Sequence, residues 1–355
     1  MNIGLDATPL SVPAGGIRRY TDELSRALAA ESSDDHFWLL SDQPFPCIGG
    51  GRDNLHCGRL PSSALDHRWW SIGLPRELAR IEADLFHGTD FTVPYRQTVP
   101  SVMTVHDLTP WRADTRDETA PRVRRRSAAL LKLRRPSMLI APTNAIRAEL
   151  IHSFKLDPAI VVAVPLAASE MFRPLPAPPP HRPYFLHVGA IQKRKNLDVI
   201  LSAWRDLRRS HEVDLILAGS VRDPASRPAA EQGLYILESE NDDGLISLYS
   251  GAAACLLPSH YEAFGLPALE AMQCGCPLIA SCDPALMEVS GGAAEHVDAK
   301  DERGWRAAMD GVLTNPGLRD SLRSRGLARA SNFSWQRTAR LTREVYAEAL
   351  RRFRR

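Results

Sequence analysis

Short apolar runs alternate with longer stretches of helical periodicity along the whole chain, a pattern that predicts parallel α/β sheets. In the first half, strands are expected at Ile3–Ala7, Phe37–Leu40, Asp84–His87, Val102–His106, Met138–Ala141 and Ile160–Val164. Helical spacing falls between them, as over Ile17–Ala30 and Thr143–Phe154, with Thr143 placed as an N-cap. The second half repeats the alternation. Its expected strands are Tyr184–Val188, Leu215–Ala218, Cys255–Leu257, Pro277–Ala280 and Glu295–Val297. Its expected helices are Leu197–Arg209, Gly244–Gly251, Pro267–Gln273, Glu302–Leu313, Pro316–Asn332 and Trp335–Phe353. Between the halves, Phe172–Pro183 holds six prolines, three of them consecutive at Pro178–Pro180. That composition stiffens a linker and forbids regular structure, so the domain boundary is placed at 172/173. Two Rossmann-like domains are the expected architecture, with ligands at the carboxyl ends of the strands, facing a cleft.

Composition narrows the function classes. A length of 355 residues suits about two domains of roughly 100–200 residues each. With a net charge of only +2, nothing in the total argues for nucleic acid, and none is expected as a partner. No basic stretch followed by an apolar run opens the chain, and no apolar run reaches the ~20 residues of a membrane span. Six cysteines in a chain this long do not make a disulfide scaffold, and Cys274, Cys276 and Cys282 lack the paired spacing of a zinc site. Reduced thiols in a cytoplasmic protein are the expectation.

Residues 259–275 carry the densest chemistry. Glu262 and Glu270 are eight positions apart, separated by a Phe264-Gly265-Leu266-Pro267 turn that opens a helix. Pro267 suits the first helical turn and Gly275 the C-terminal cap. The turn leaves free backbone N–H groups at a helix N-terminus, which favours an anion such as phosphate. A carboxylate on either side of it can grip neighbouring hydroxyls. Two spaced glutamates alone would read as solvated residues around a core helix. A second cluster follows strand Tyr184–Val188, in Gly189-Ala190-Ile191-Gln192-Lys193-Arg194-Lys195-Asn196, with Asn196 expected to cap the next helix. Two of the chain's five lysines stand in this loop, although arginine is its default cation elsewhere.

With its surroundings, the 258–272 segment resembles the Glu-(seven residues)-Glu signature of the retaining glycosyltransferases of family 4. The resemblance runs from Ile3 to about Ala339 and takes in other motifs. Arg194-Lys195-Asn196 resembles the family's phosphate loop. Gly15-Gly16-Ile17-Arg18-Arg19-Tyr20 looks like its loop after the first strand. Val105-His106-Asp107-Leu108 carries a histidine where the family has one, and His87-Gly88-Thr89-Asp90 is a weaker match. Ala190 departs from the Arg or Thr of many relatives, and Glu238 from their usual glycine.

The resemblance implies the GT-B fold, with domains 1–172 for the acceptor and 173–336 for the nucleotide sugar, and helix 337–355 crossing back onto the first domain. It assigns catalytic roles to Glu262, His106, Lys195 and Arg194. Donor binding would fall to Glu270, Gly265, Phe264, Leu266, Gly189 and Leu237, with the base near Leu237–Asp242. Gly15, Gly16 and Asp107 would form an acceptor-side loop, Asp107 either orienting the His106 imidazole or facing the acceptor. The implied reaction is retaining transfer of a hexosyl residue, with GDP-mannose as first donor and UDP-sugars as runner-up. Its acceptor would be a saccharide or a lipid-linked molecule. No cofactor and no metal are expected, since no Asp-x-Asp pair faces the phosphates. A nucleotide-sugar epimerase and an idle sugar-nucleotide sensor of the same fold are the alternatives. Arg122, Arg124, Arg125, Arg126, Arg134 and Arg135 crowd one helical stretch. They form either a solvated face or, as in relatives that glycosylate lipids, a peripheral contact with the anionic inner face of a membrane.

Overall fold

The computed structural model describes residues 1–13, 15–48, 52–112, 121–176 and 181–353. The proline triplet at 178–180 and the Arg122 side chain lie outside the described positions. The chain forms two compact units, Met1–Leu166 with Ser334–Arg355, and Ala167–Phe333.

The first unit holds a seven-stranded parallel sheet in the order β3-β2-β1-β4-β5-β6-β7. Its strands are β1 Asn2–Asp6, β2 His36–Leu40, β3 Leu55–Cys57, β4 Leu85–Gly88, β5 Ser101–Thr104, β6 Met138–Ala141 and β7 Val161–Ala163. Every residue of β4, β5 and β6 is buried, as expected of parallel strands covered on both faces. Helices α1 Gly16–Glu31, α2 Leu74–Arg80, α3 Pro121–Lys132 and α4 Asn144–Phe154 intervene. Thr143 caps α4 by accepting the Ile146 N–H at 3.2 Å.

The second unit holds six parallel strands in the order β10-β9-β8-β11-β12-β13. They are β8 Tyr184–Val188, β9 Asp214–Ala218, β10 Leu234–Leu237, β11 Ala254–Leu257, β12 Leu278–Ser281 and β13 Glu295–Val297. Helices α5 Leu197–Leu207, α6 Asp242–Gly251, α7 Leu266–Gln273, α8 Pro284–Ser290, α9 Glu302–Thr314 and α10 Pro316–Ala330 accompany them. On α5, Leu197, Ile200, Leu201, Trp204 and Leu207 recur at helical spacing and are buried, while Asp198 and Arg205 face outward. That stripe joins Trp305, Met309 and Val312 of α9 in one core.

Several expectations shift. Edge strands β3 and β10, and the short helices α2 and α8, are not announced by the apolar pattern. An edge strand pairs on one side only, and the outward residues of β10 break its run, with Tyr235 half exposed. Strand β5 stops at Thr104, short of His106. The unit boundary falls at Leu166/Ala167 rather than 172/173 because the intervening residues pack into the second unit. Phe172 meets Tyr249 edge-on at 6.2 Å, and the Ser169 carbonyl accepts from Gln273 at 2.9 Å. The return point lies at Phe333/Ser334, not 336/337. From there α11, Trp335–Phe353, packs on α1 and β6 of the first unit. Tyr346 on α11 shares a 2.7 Å hydrogen bond with His87 of β4. Not all thiols are reduced: Cys47 and Cys57 form a disulfide, because β3 pairs with β2 and brings Cys57 to the loop that leaves β2.

Candidate functional site

The second sheet reverses its winding direction between β8 and β11, which are paired neighbours. A parallel sheet binds ligands outside the carboxyl ends of its strands at such a switch point. The loops that leave β8 and β11 carry the two clusters singled out in the sequence, and the pairing places them side by side. Lys195 and Glu262, 67 positions apart, form a buried ion pair with Nζ 2.5 Å from Oε1. Ser259 Oγ donates to the same oxygen at 2.7 Å, and the Arg194 guanidinium lies 3.6 Å from Oε2. The Glu262 backbone N–H donates to Asp283 at 3.2 Å, fixing the loop against the start of α8. Burial alone would raise the Glu262 pKa. The charges of Lys195 and Arg194, with the two hydrogen bonds, outweigh it and hold the carboxyl at about 2, so Glu262 is ionised at neutral pH.

The three cations of the β8 loop are not equivalent. Lys193 is exposed, Arg194 half-buried and Lys195 buried. Arg194 also donates to the Tyr261 carbonyl at 3.1 Å, and its own carbonyl accepts the His260 N–H at 3.0 Å. Asn196 precedes α5, but it does not cap the helix with its side chain as expected. It sits at φ 55°, ψ 44°, and its amide donates to the carbonyls of Pro258 and Ala299 at 3.0 and 2.7 Å. The side chain therefore ties the two loops together.

Gly265 adopts φ 81° at the N-terminus of α7, a left-handed conformation that costs glycine nothing. Among the described residues, the N–H groups of Gly265 and Leu266 make no hydrogen bond, so the N-terminus of α7 is open, the kind of helix end that favours an anion. Phe264 is buried edge-on against Phe333, 5.9 Å between centroids, and anchors the turn. Glu270 is the fifth residue of α7, buried, and accepts a hydrogen bond from Tyr249 at 3.1 Å. Gly189, at φ 146°, lines the same place from β8; a Cβ there would stand 3.6 and 3.7 Å from Lys195 Cε and Nζ. Leu237 ends β10 two strands away from β8.

In the first unit the winding reverses between β1 and β4. Gly15 and Gly16 open α1 after β1, with the Gly15 carbonyl accepting the Arg19 N–H at 3.0 Å. His106 is buried. Its Nε2–H donates to the Thr89 carbonyl at 2.7 Å, and its ring stands edge-on to Tyr20 at 4.8 Å. Burial lowers its pKa to about 4, so the ring is neutral near pH 7. The Thr89 carbonyl thus accepts the Nε2–H hydrogen bond, and Asp107 accepts the Thr109 N–H at 2.9 Å. Asp6, which the sequence reading did not single out, and Asp90, of the weakly matching 87–90 segment, lie at the same edge. Burial lifts Asp6 to about 6, and burial together with the Asp6 carboxyl lifts Asp90 to about 7. Arg126 turns inward, its charge acting on both aspartates and its guanidinium lying 5.0 Å from the Trp70 ring. It therefore belongs neither to a solvated face nor to a membrane-docking one.

Sequence reasoning missed Asp283, Tyr249 and His187 as neighbours of the second-unit site. An Asp-Pro pair at 283–284 is a helix-start signal and could have marked the first. Tyr249 and His187 sit inside a helix and a strand, where only pairing reveals what they face.

Residues 170–329 match the family model described as glycosyl transferases group 1, and residues 14–168 that of glycosyltransferase family 4. The chain is 29% identical over 382 residues to O-antigen chain mannosyltransferase B of Escherichia coli, covering 98% of this chain and 99% of that protein. It is 30% identical over 420 residues to a D-inositol 3-phosphate glycosyltransferase of Salinispora arenicola, covering 98% and 91%. Sucrose-phosphate synthase from Thermosynechococcus elongatus has a similar structure, with a TM-score of 0.76 at 21% identity over 98% of both chains. WaaG, a glycosyltransferase involved in lipopolysaccharide biosynthesis, gives 0.69 at 17% identity over 96% of this chain and 98% of its own. These two likenesses show the fold, GT-B. With both halves matched by the family models and a relative 30% identical over nearly its full length, the chain belongs to the family 4, group 1 glycosyltransferases.

Proposed function

We propose that this glycosyltransferase moves a hexosyl residue from a nucleotide sugar, GDP-mannose first, to a saccharide or lipid-linked acceptor, with retention at the anomeric carbon. The observation that carries the reading is the buried Lys195–Glu262 pair beside the open N-terminus of α7. It sets a fixed ammonium, a half-buried guanidinium and free N–H groups around one place, which suits a diphosphate leaving group. Glu262 is ionised and accepts hydrogen bonds from hydroxyls of the sugar. Glu270, held by Tyr249, takes the ribose diol. The leaving phosphate oxygen takes the acceptor proton, so no separate general base is required. His106, neutral and carrying its proton on Nε2, presents Nδ1 as an acceptor toward a hydroxyl in the first unit.

Mannose rests on the full-length likeness to the O-antigen mannosyltransferase. The D-inositol 3-phosphate glycosyltransferases favour a second reading, in which the acceptor carries its own phosphate. A UDP-sugar remains the alternative donor. Arg124 and Arg125 of α3, with the exposed Arg134 and Arg135 after it, are the residues that would meet an anionic membrane surface; no helix among the described residues is long and apolar enough to cross one.

The test is a transfer assay with GDP-mannose, GDP-fucose, UDP-glucose and UDP-galactose, with the product's anomeric configuration read by NMR. An inverted product, or turnover unaffected by Glu262→Ala, sinks the mechanism. Transfer should also continue in excess EDTA, because Arg194, Lys195 and the α7 N-terminus supply the charge a divalent ion would bring. Loss of activity that Mn²⁺ or Mg²⁺ restores would refute that point.

A further inference from the structure

His187 is fully buried on β8, directly under the Gly189 loop, and the mechanism above does not use it. Its Nδ1 lies 2.9 Å from the Leu256 carbonyl, which can only accept, so Nδ1 carries the proton. Nε2 is then a bare lone pair. It has no hydrogen-bond partner among the described residues, although buried polar atoms almost always have one. The place it faces is defined by its surroundings. A Cβ on Gly189 would lie 3.5 Å from Nε2, 3.6 Å from Lys195 Cε and 3.7 Å from Lys195 Nζ. Glycine at 189 thus leaves a notch bordered by an acceptor with no donor facing it and by the Lys195 ammonium, which donates to Glu262.

The occupants of the site sort by chemistry. Diphosphate oxygens carry no proton at neutral pH and cannot satisfy Nε2. Lys195 can. In the structure its ammonium is held by Glu262 Oε1. When a sugar claims that carboxylate, the ammonium needs another acceptor that does not repel the incoming phosphates. A second carboxylate would repel them; a neutral imidazole does not. Burial and the Lys195 charge keep the ring neutral, with a pKa of about 4.

We propose that His187 is a positioning residue whose Nε2 accepts a hydrogen bond from the Lys195 ammonium and holds it on the donor diphosphate, leaving Glu262 to the sugar. The inference rests on the reading of Lys195 as the diphosphate ligand, and the experiment separates the two. Binding of GDP-mannose, GMP, UDP-glucose and UMP to the full-length protein, with no acceptor present, is measured by calorimetry for wild type, Lys195→Ala, His187→Phe and His187→Gln. The quantity read is the affinity ratio of sugar diphosphate to monophosphate for the nucleotide that binds. His187→Phe should lower that ratio about tenfold, the worth of one hydrogen bond to a charged group. His187→Gln, whose amide oxygen can replace the lone pair, should restore it. A merely structural defect would lower both affinities and leave the ratio unchanged. If Lys195→Ala leaves the ratio at its wild-type value, the diphosphate reading falls and this inference with it. If Lys195→Ala lowers the ratio and His187→Phe does not, only the His187 role is overturned. A loss in His187→Phe that Gln does not repair also overturns it. Should the Phe variant be unfolded by circular dichroism, His187→Leu takes its place with the same criteria.

Discussion

Single residues at this site are coupled, and the coupling is measurable. Lys195 and Glu262 compensate each other's burial, so removing one leaves the other stranded. Breaking a buried pair from one side costs about 3–5 kcal/mol. Lys195→Ala should therefore destabilise the protein toward the lower end, since Arg194 stays 3.6 Å from Glu262. The double variant Lys195→Ala/Glu262→Gln should be more stable than Lys195→Ala alone. Denaturant unfolding of Lys195→Ala, Glu262→Gln and the double variant gives the three differences, and strict additivity would mean the pair is not coupled. The first unit offers a pH test. Asp6 and Asp90 have folded-state pKa values raised to about 6 and about 7, above an ordinary aspartate value of about 3.9. A carboxyl raised in this way stabilises fully below its unfolded pKa and loses that stability as pH rises through the folded value. Stability should thus fall between about pH 4 and 7. Asp90→Asn should flatten the slope, matching wild type near pH 4 and exceeding it at pH 8. A difference in melting temperature that does not vary with pH would refute the assignment.

At the scale of elements, the turn that opens α7 is the point where a side chain would bring strain. Gly265 sits at φ 81°, and a Cβ there would collide with Leu286 Cδ2 on α8. The Leu286 end is flexible and can move; the backbone angle cannot be relieved so easily. Gly265→Ala should cost about 1–2 kcal/mol for the left-handed conformation. It should also weaken nucleoside diphosphate binding, because the open N–H groups shift with the turn. If stability falls but diphosphate affinity does not, the α7 N-terminus is not a phosphate ligand. The carboxyl end of α7 shows how much a helix declares in its own residues. Gly275 follows the C-cap Cys274 at φ 69°, and the Gly275 and Cys276 N–H groups bond back to Met272 and Ala271 at 3.0 and 2.8 Å. Both ends of α7 are legible in the sequence because proline and glycine act through their own backbones. The role of Asn196 is not, because its cap chemistry competes with carbonyls 62 and 103 residues away.

For the whole molecule, the C-terminal helix is the device that makes the chain's end part of its beginning. Trp335, Ala339, Val345, Tyr346 and Ala349 of α11 are buried. Arg343 pairs with Asp35 at 2.9 Å, and Thr338 donates to the Pro165 carbonyl at 2.8 Å. Truncation after Phe333 should therefore destabilise the first unit and spare the second. A thermal melt of the truncated chain should show a low transition insensitive to GDP or UDP and a second one that the bound nucleotide raises. A single transition at the wild-type temperature would mean α11 contributes nothing to the first unit.

Local chemistry makes the second-unit site legible in the amino-acid order itself: Gly265 and Pro267 open a helix, Gly275 closes it, and alternating apolar runs announce two parallel sheets. The resemblance carried by 258–272 and 189–196 adds the family. What the chain order does not supply is adjacency. Strand order β9-β8-β11 puts loops 67 residues apart into contact, and only then does Lys195 become the partner of Glu262. The same pairing buries His187 with an unused lone pair and places Tyr249 on Glu270. His106 and the aspartates Asp6 and Asp90 acquire their shifted protonation from burial, a property of the packed sheet and not of residue type. Sequence determines which groups and turns are available. Tertiary structure determines which charges meet and how much water they keep, because parallel strands pair across long crossovers and electrostatic energy depends on both distance and desolvation.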